Sequence, residues 1–503
     1  MRRLAALLAL VLSAGTQAPA AGAQTLTIAL REDPDVLDPT LGSAFVSRVV
    51  YAAMCDKLID LDEHLNLVPQ LATTWEWEDP THLLLHLRPG VVFHDGEPFD
   101  AEAVKYKLTR DLTLKGSMRV GEINSIAAVE VVDPLQVRLV LRAPNAPLLA
   151  QLADRAGVMI SPKAAEAQGA AFGQHPVCAG PYEFESRVAQ DSITLRRFPR
   201  HWDAGSYHFE KVVYRPMPNS AVRLANLRAG AVDLVEYILP NDLEALRADP
   251  KLRAVVGDGL AYTGIAFNVA NGPAADTALG RDRRVRQAFE AAVDRAVVNQ
   301  VVYGGLFSIT AQANTEVSPM HVPEVQPPPR DLARARDLLR QAGVPLPVPV
   351  TLTVPNSPDV QQAAEVIQAM AAEAGFDVRL QVLEFASSLQ AGYGGRFQAF
   401  MIGWSGRSDA DGNMWQQLHT GGTFNYGKWS NPEADALLDR ARVLTETAER
   451  RALYAQFWAL ERQDLPLLYL WMSKNVVGMK RGLQGFVQVP DGLIRLRGLR
   501  LQP

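Results

Sequence analysis

The sequence predicts an α/β fold. Residues up to about 265 read mainly as short strands, whereas beyond that point long helical runs alternate with apolar strand runs. The stretch from Thr351 through Gly375 to Val378 reads as strand, helix, glycine stop and strand, a βαβ unit. The 503 residues are 48% apolar and 21% charged, an ordinary globular balance that excludes disordered and fibrous classes. A chain of this length supports about three folding units.

The elements follow in order. Arg2 and Arg3 precede an uncharged apolar run at 4–12, and small residues end at Ala23. Residues 1–23 therefore read as a cleavable secretory signal peptide. The apolar run is far short of the roughly 20 residues that a bilayer span needs. Export by that signal places the mature chain in the periplasm. A strand at 25–30 comes next, then a helix-like stretch at 49–61 and a strand at 83–87. Residues 88–100 run from strand through a turn to Asp100. That residue reads as the N-cap of a helix burying Ala103, Val104 and Leu108. A hairpin at 129–141 turns at Asp133-Pro134. Strands at 193–195, 212–214 and 232–235 follow, with a helix at 219–228 stopped by Gly230. In the second part, helices at 283–302, 332–341, 360–374, 432–447 and 448–463 alternate with strands at 348–354, 378–383 and 397–403. Prolines at 323–329 form a connector.

Charge and composition limit the function. A net charge of −5 lacks the basic face of a nucleic-acid binder. Two cysteines rule out a disulfide scaffold and a cysteine metal cluster. After export, Cys55 and Cys178 can close one disulfide; two separate buried thiols are the alternative. The run from Gly403 to Gly406 imitates a nucleophile elbow, but Arg407 stands where its closing glycine belongs. Residues 422–428 imitate a phosphate loop. Trp429 takes the magnesium-binding hydroxyl position there, and Phe424 and Tyr426 crowd the amide cradle. His82 and His86 share a strand face at a spacing poor for one metal. These readings leave no catalytic residue, no metal site and no cofactor.

One set of motifs is more specific. Residues 87–108 contain Val92-Phe93-His94-Asp95-Gly96-Glu97-Pro98-Phe99. Asp38-Pro39 follows the first strand, Pro69-Gln70-Leu71-Ala72 leads to Trp75, and Ala179-Gly180-Pro181-Tyr182 forms a loop. Phe267-Asn268 precedes Val285-Arg286-Gln287-Ala288. In this order the motifs resemble the extracellular solute-binding proteins of family 5, the peptide/nickel class serving ABC importers. The likeness runs from about residue 25 to 496. It implies a two-lobed periplasmic-binding-protein-like fold, type II and of the large cluster C kind. Lobe I would hold residues 24–265 with a return at 478–503, and lobe II residues 266–477. Hinge crossings would lie near 264–268 and 474–478. It further implies a monomer that captures a short peptide or peptide-like, anionic small molecule. A membrane permease and its ATPase would then take the ligand over. A cleft hydrolase on the same fold and a peptide-binding sensor or chaperone without transport are the alternatives.

The segment 402–413 resembles the family's G-W-x-x-D region at the cleft. Where peptide-binding relatives have an aspartate three positions after the tryptophan, this chain has Arg407. Asp409 or Asp411 could then meet a ligand ammonium. Alternatively, Arg407 could hold a carboxylate, or pair structurally with Asp409 or Asp411. Trp404 is expected as an apolar cleft wall or as core. Asn425 and Tyr426 could add a second wall. From lobe I, Ser43, Phe45 and Arg119 complete the expected ligand-binding set.

Overall fold

The computed structural model describes residues 24–502. The expected signal peptide lies outside the described residues.

Two large sheets and one four-stranded sheet organise the chain, with two two-stranded ladders beside them. The first large sheet has seven strands. Its central strand, Thr25–Leu30, runs parallel to Lys211–Pro216 on one side and to Leu234–Val235 on the other. Antiparallel strands extend it outward, ending at Tyr182–Val188 and at Leu252–Gly257. From Ile28 to Leu30 the central strand is buried at every residue, as expected of a strand covered on both faces. The second large sheet has six strands, with Tyr262–Phe267 and Ala399–Trp404 antiparallel at its middle and Val348–Pro355 parallel to Phe376–Leu383 at one edge. The four-stranded antiparallel sheet joins Ala72–Asp79, His82–Leu87, Gln136–Leu141 and Ile126–Asp133. Helix Ala101–Thr113 packs its Ala103, Val104 and Leu108 into the core of that sheet.

Local chemistry explains several element boundaries. Asp100 accepts from the Ala103 amide at 3.0 Å, so the expected N-cap forms. Helix Pro358–Ala374 ends at Gly375 with φ 110°, a left-handed stop that leads straight into Phe376–Leu383. The single helix expected at 283–302 is two helices, Arg283–Ala292 and Arg295–Tyr303. Asp294 breaks it by capping the second, accepting from the Val297 amide at 3.0 Å. The helix expected at 49–61 is instead Phe45–Met54, followed by the strand Ile59–Leu61. Cys55 caps that helix with extended backbone angles, its amide donating to the Tyr51 carbonyl at 2.7 Å, and its side chain is committed elsewhere.

That commitment is a disulfide to Cys178, with the two Cα atoms 4.9 Å apart. It ties the end of Phe45–Met54 to the loop entering Tyr182–Val188. Gly180 in that loop donates to the Met54 carbonyl at 3.1 Å, and a Cβ there would lie 2.4 Å from Met54 backbone. His94 closes the same corner by bonding Gly180 and Cys178 backbone. Burial pushes its imidazole down to about 4, so it stays neutral.

The chain passes between the large sheets twice. Leu252–Gly257 belongs to the seven-stranded sheet and Tyr262–Phe267 to the six-stranded one, so the first crossing is at 258–261. The stretch 264–268, expected as a crossing, lies mostly within a strand paired on both sides. The return passes at 473–474, between Leu467–Met472 and Asn475–Lys480.

The disulfide spans a sequence separation of 123 residues; the chain-entropy model puts a loop of that size at about 5 kcal/mol, and removing such a bridge typically costs about 2–5 kcal/mol. Replacing both Cys55 and Cys178 by Ala is expected to lower the denaturation free energy by that amount in urea unfolding. Thiol labelling of unreduced wild-type protein in denaturant is expected to find no free thiol. A free thiol, or an unchanged unfolding midpoint in the double variant, refutes the bridge.

Candidate functional site

A cavity of about 160 Å³ lies where the two large sheets face each other. Strand ends build it. Arg31 and Glu32 follow directly on Thr25–Leu30, Pro355 ends Val348–Pro355, and Trp404 ends Ala399–Trp404. All three are the carboxyl ends of strands that have a parallel neighbour, where open α/β sheets place their ligands. The segment Ser43 to Phe45, at the start of helix Phe45–Met54, closes one side. Tyr262, Thr263 and Trp471 come from the six-stranded sheet.

Aromatic rings make most of the wall. Trp404 is fixed by its indole N–H donating to Asn413 at 3.1 Å and by Phe424, with ring centres 4.9 Å apart. Tyr426 packs on Tyr393 at 5.3 Å. Rings held in this way offer contact area with few rotamers to freeze.

One basic and two acidic side chains line the cavity. Arg31 reaches Glu236 at 3.3 Å and lies over the rings of Phe45 and Tyr237, at 4.8 and 5.3 Å. Glu32 is pushed up to about 8: burial raises it, and Glu236 and Asp35 add to that against the pull of Arg31. Asp359 sits in the first turn of helix Pro358–Ala374 and is 8% exposed. No cation forms a salt bridge with Asp359 among the described residues.

The structure sorts the residues that the sequence singled out. Ser43, Phe45, Trp404 and Tyr426 line the cavity, and Ser43 also donates to Asp35 at 2.8 Å. Asn425 instead braces a turn, donating to the carbonyls of Trp429 and His419 at 2.7 and 3.0 Å beside a smaller hollow of about 30 Å³. Asp409 is held by both Nη atoms of Arg450 at 2.7 and 2.8 Å. Asp411 is held by Arg442 at 2.6 and 3.0 Å. Those arginines sit on the helices Pro432–Val443 and Thr447–Asp464 and draw both carboxylates away from the cavity. Arg119 pairs with Glu122 at 2.6 Å. Arg407 pairs with neither Asp409 nor Asp411. It meets Asp154 at 2.5 Å and lies 4.4 Å over Trp404. Gly406, at φ 75°, turns the chain, and Asn413 accepts from the Arg407 amide at 2.6 Å, which aims the side chain at Asp154.

Arg31, Glu32, Tyr237 and Asp359 were not singled out. The pair Arg31-Glu32 carried a readable signal, since it directly follows a buried strand and such ends face clefts. Asp359 gave none, because an acid in a first helical turn is ordinary.

Residues 66–425 match the family described as bacterial extracellular solute-binding proteins, family 5 Middle. The chain belongs to this family. It is 29% identical to the glutathione-binding protein GsiB of Pectobacterium atrosepticum, over 96% of this chain and 95% of that one. Its fold matches the periplasmic binding protein DppA of Helicobacter pylori in complex with the peptide STSA, with TM-score 0.87, 24% identity and coverage of 95% and 98%. It also matches the Escherichia coli murein tripeptide binding protein MppA, with TM-score 0.88, 22% identity and coverage of 96% and 99%. No helix among the described residues is long and apolar enough to cross a membrane.

Glu32 yields a pH prediction for this family member. Its folded value lies above the unfolded one, so between about 4.5 and 8 the unfolded state binds fewer protons and the carboxyl destabilises the fold increasingly as pH rises. Glu32→Gln is expected to raise the melting temperature at pH 8 and to leave it nearly unchanged at pH 4.5. Equal effects at both pH values, in thermal denaturation, contradict the assignment.

Proposed function

We propose that this chain is the exported binding component of an ABC importer for short peptides. It takes its ligand in the cavity between the two large sheets and delivers it to a membrane permease powered by an ATPase. It works as a monomer in the periplasm and leaves the ligand chemically unchanged. The observation that carries the reading is the aromatic-walled cavity at facing strand ends, in a chain of this family. The names of its relatives support the ligand class: GsiB is a glutathione-binding protein and MppA a murein tripeptide binding protein.

The mechanism follows from the geometry. The seven-stranded sheet, with the four-stranded sheet, is the core of one lobe, and the six-stranded sheet that of the other. Crossings at 258–261 and 473–474 are the hinge. A ligand that touches Phe45 on one side and Trp404 on the other binds the closed arrangement better than the open one. Only that difference in affinity shifts the equilibrium. Closure removes water, which strengthens each polar contact and penalises each unmatched charge. Specificity thus rests on matching the charges at the cavity as well as filling its volume.

The test uses mature protein refolded free of ligand. Reduced glutathione, Met-Leu and Ser-Thr-Ser-Ala are titrated by calorimetry, and the scattering radius is followed in parallel. At least one peptide is expected to bind with a decrease in radius. Trp404→Ala is expected to weaken that binding about tenfold or more, the equivalent of about 1.4 kcal/mol. No binding by any of the three, or turnover of the peptide, overturns the reading.

A further inference from the structure

Four arginines stand directly behind the cavity wall, and their charge is not matched by the acids around them. Arg155 donates to the carbonyls of Ser43 and Ala44 at 2.9 and 3.1 Å. Arg119 donates to the carbonyl of Gly42 at 3.1 Å. Arg48 and Arg407 both reach the Ser405 hydroxyl, at 3.3 and 3.1 Å. The cluster therefore grips both wall segments, the one at Ser43 and the one at Trp404 and Ser405. Exposure is 4% for Arg48, 0% for Arg119, 1% for Arg155 and 6% for Arg407. Bulk water cannot neutralise charges buried this deeply.

Two carboxylates answer the four guanidiniums. Asp154 takes Arg48 at 2.8 Å and Arg407 at 2.5 Å, and Glu122 takes Arg119 at 2.6 Å. Arg155 forms no salt bridge among the described residues. Of the acids farther out, three are engaged by other cations, whereas Asp35 accepts only from neutral donors and keeps its charge. Asp35 accepts from Ser43, Ala44 and Ser47, while Asp38 pairs with Arg110, Asp111 with Lys107 and Asp411 with Arg442. The Nε of Arg119, the Nε and Nη1 of Arg155 and the Nη2 of Arg407 have no acceptor among the described residues. Asp154 Oδ2 and Glu122 Oε2 also lack an aligned donor. Even with those two oxygens fully used and Asp35 counted against the cluster, one positive charge remains in excess. Burial, then Arg119 and Arg407, push Arg155 down to about 9. Such a cluster is costly when empty and favourable around an anion.

We propose that Arg48, Arg119, Arg155 and Arg407 together receive a carboxylate, the acidic group of the bound peptide, as the two sides of the cleft meet. This deepens the peptide-binding reading above and rests on it. Arg407 comes from the six-stranded side and the other three from the first part of the chain, so the anion bridges the seam. Planar guanidiniums with free N–H groups suit a carboxylate oxygen pair. A free carboxylate such as acetate offers the same chemistry and is the second possible occupant.

The experiment melts full-length mature protein, refolded free of ligand, while acetate replaces the HEPES anion at constant pH and ionic strength. A saturable rise of about 2–4 °C is expected in the wild type, and less than about 1 °C in Arg155→Met. If Arg155→Met does not fold, Arg119→Gln serves the same purpose. Absence of an acetate-specific rise in the wild type overturns the anion site, as does an equal rise in the variant. The second arm repeats the titration with the tightest-binding peptide of the three above, as free acid and as C-terminal amide. Loss of the acetate response with the acid but not with the amide assigns the cluster to the peptide carboxylate. Persistence with both overturns that assignment in favour of a free anion. Failure of all three peptides alongside a positive acetate arm overturns the peptide reading and leaves the anion site standing.

Discussion

Two short crossings between the large sheets, lying side by side, set the geometry of everything at the cavity. The Ser473 amide donates to the Ala261 carbonyl at 2.9 Å, and Asn475 donates to the Asp258 carbonyl at 3.1 Å. Gly259 lies so close that a Cβ would sit 2.5 Å from the Ser473 carbonyl oxygen. Lys474 pairs with Asp258 across the same gap. The crossings thus join the sheets along one margin, and their strand ends converge on the same space. Arg31 and Glu32 come from one sheet, Trp404 and Trp471 from the other.

Given that geometry, the cost of burying charge decides which polar groups are structural. Asp409 and Asp411 are sealed by bidentate arginines, so they fix the loop after Trp404. Asp154 does comparable work between the two parts of the chain, joining Arg48 to Arg407. Burial would raise its carboxyl, but Arg407, Arg48 and Arg155 hold it well below the usual range, so it stays ionised. The loop carrying Trp404 is therefore positioned by paired charge, and the cavity gains a rigid aromatic wall.

Much of the fold could be read locally. Asp100 as a cap, Gly375 as a stop and the paired strands Ile126–Asp133 and Gln136–Leu141 depend on neighbours within a few residues. The break at Asp294 was equally local, but apolar periodicity on both sides disguised it. Of the expected site residues, Ser43, Phe45, Trp404 and Tyr426 line the cavity because they sit at element ends. The charged ones were harder to place, since one side chain can serve a ligand or a partner from a distant segment.

The sequence by itself determined most of the longer helices and strands, several of their caps and stops, the order of family motifs and the presence of two cysteines able to bond. These follow from backbone preference and side-chain periodicity, which act over a few residues. The tertiary structure alone decided where the charges go. Arg407 meets Asp154 from far along the chain, Asp411 meets Arg442, and Glu32 and Asp359 come to face one cavity from opposite halves of the molecule. Ion pairing and desolvation depend on distance in space, and spacing along the chain does not encode that distance.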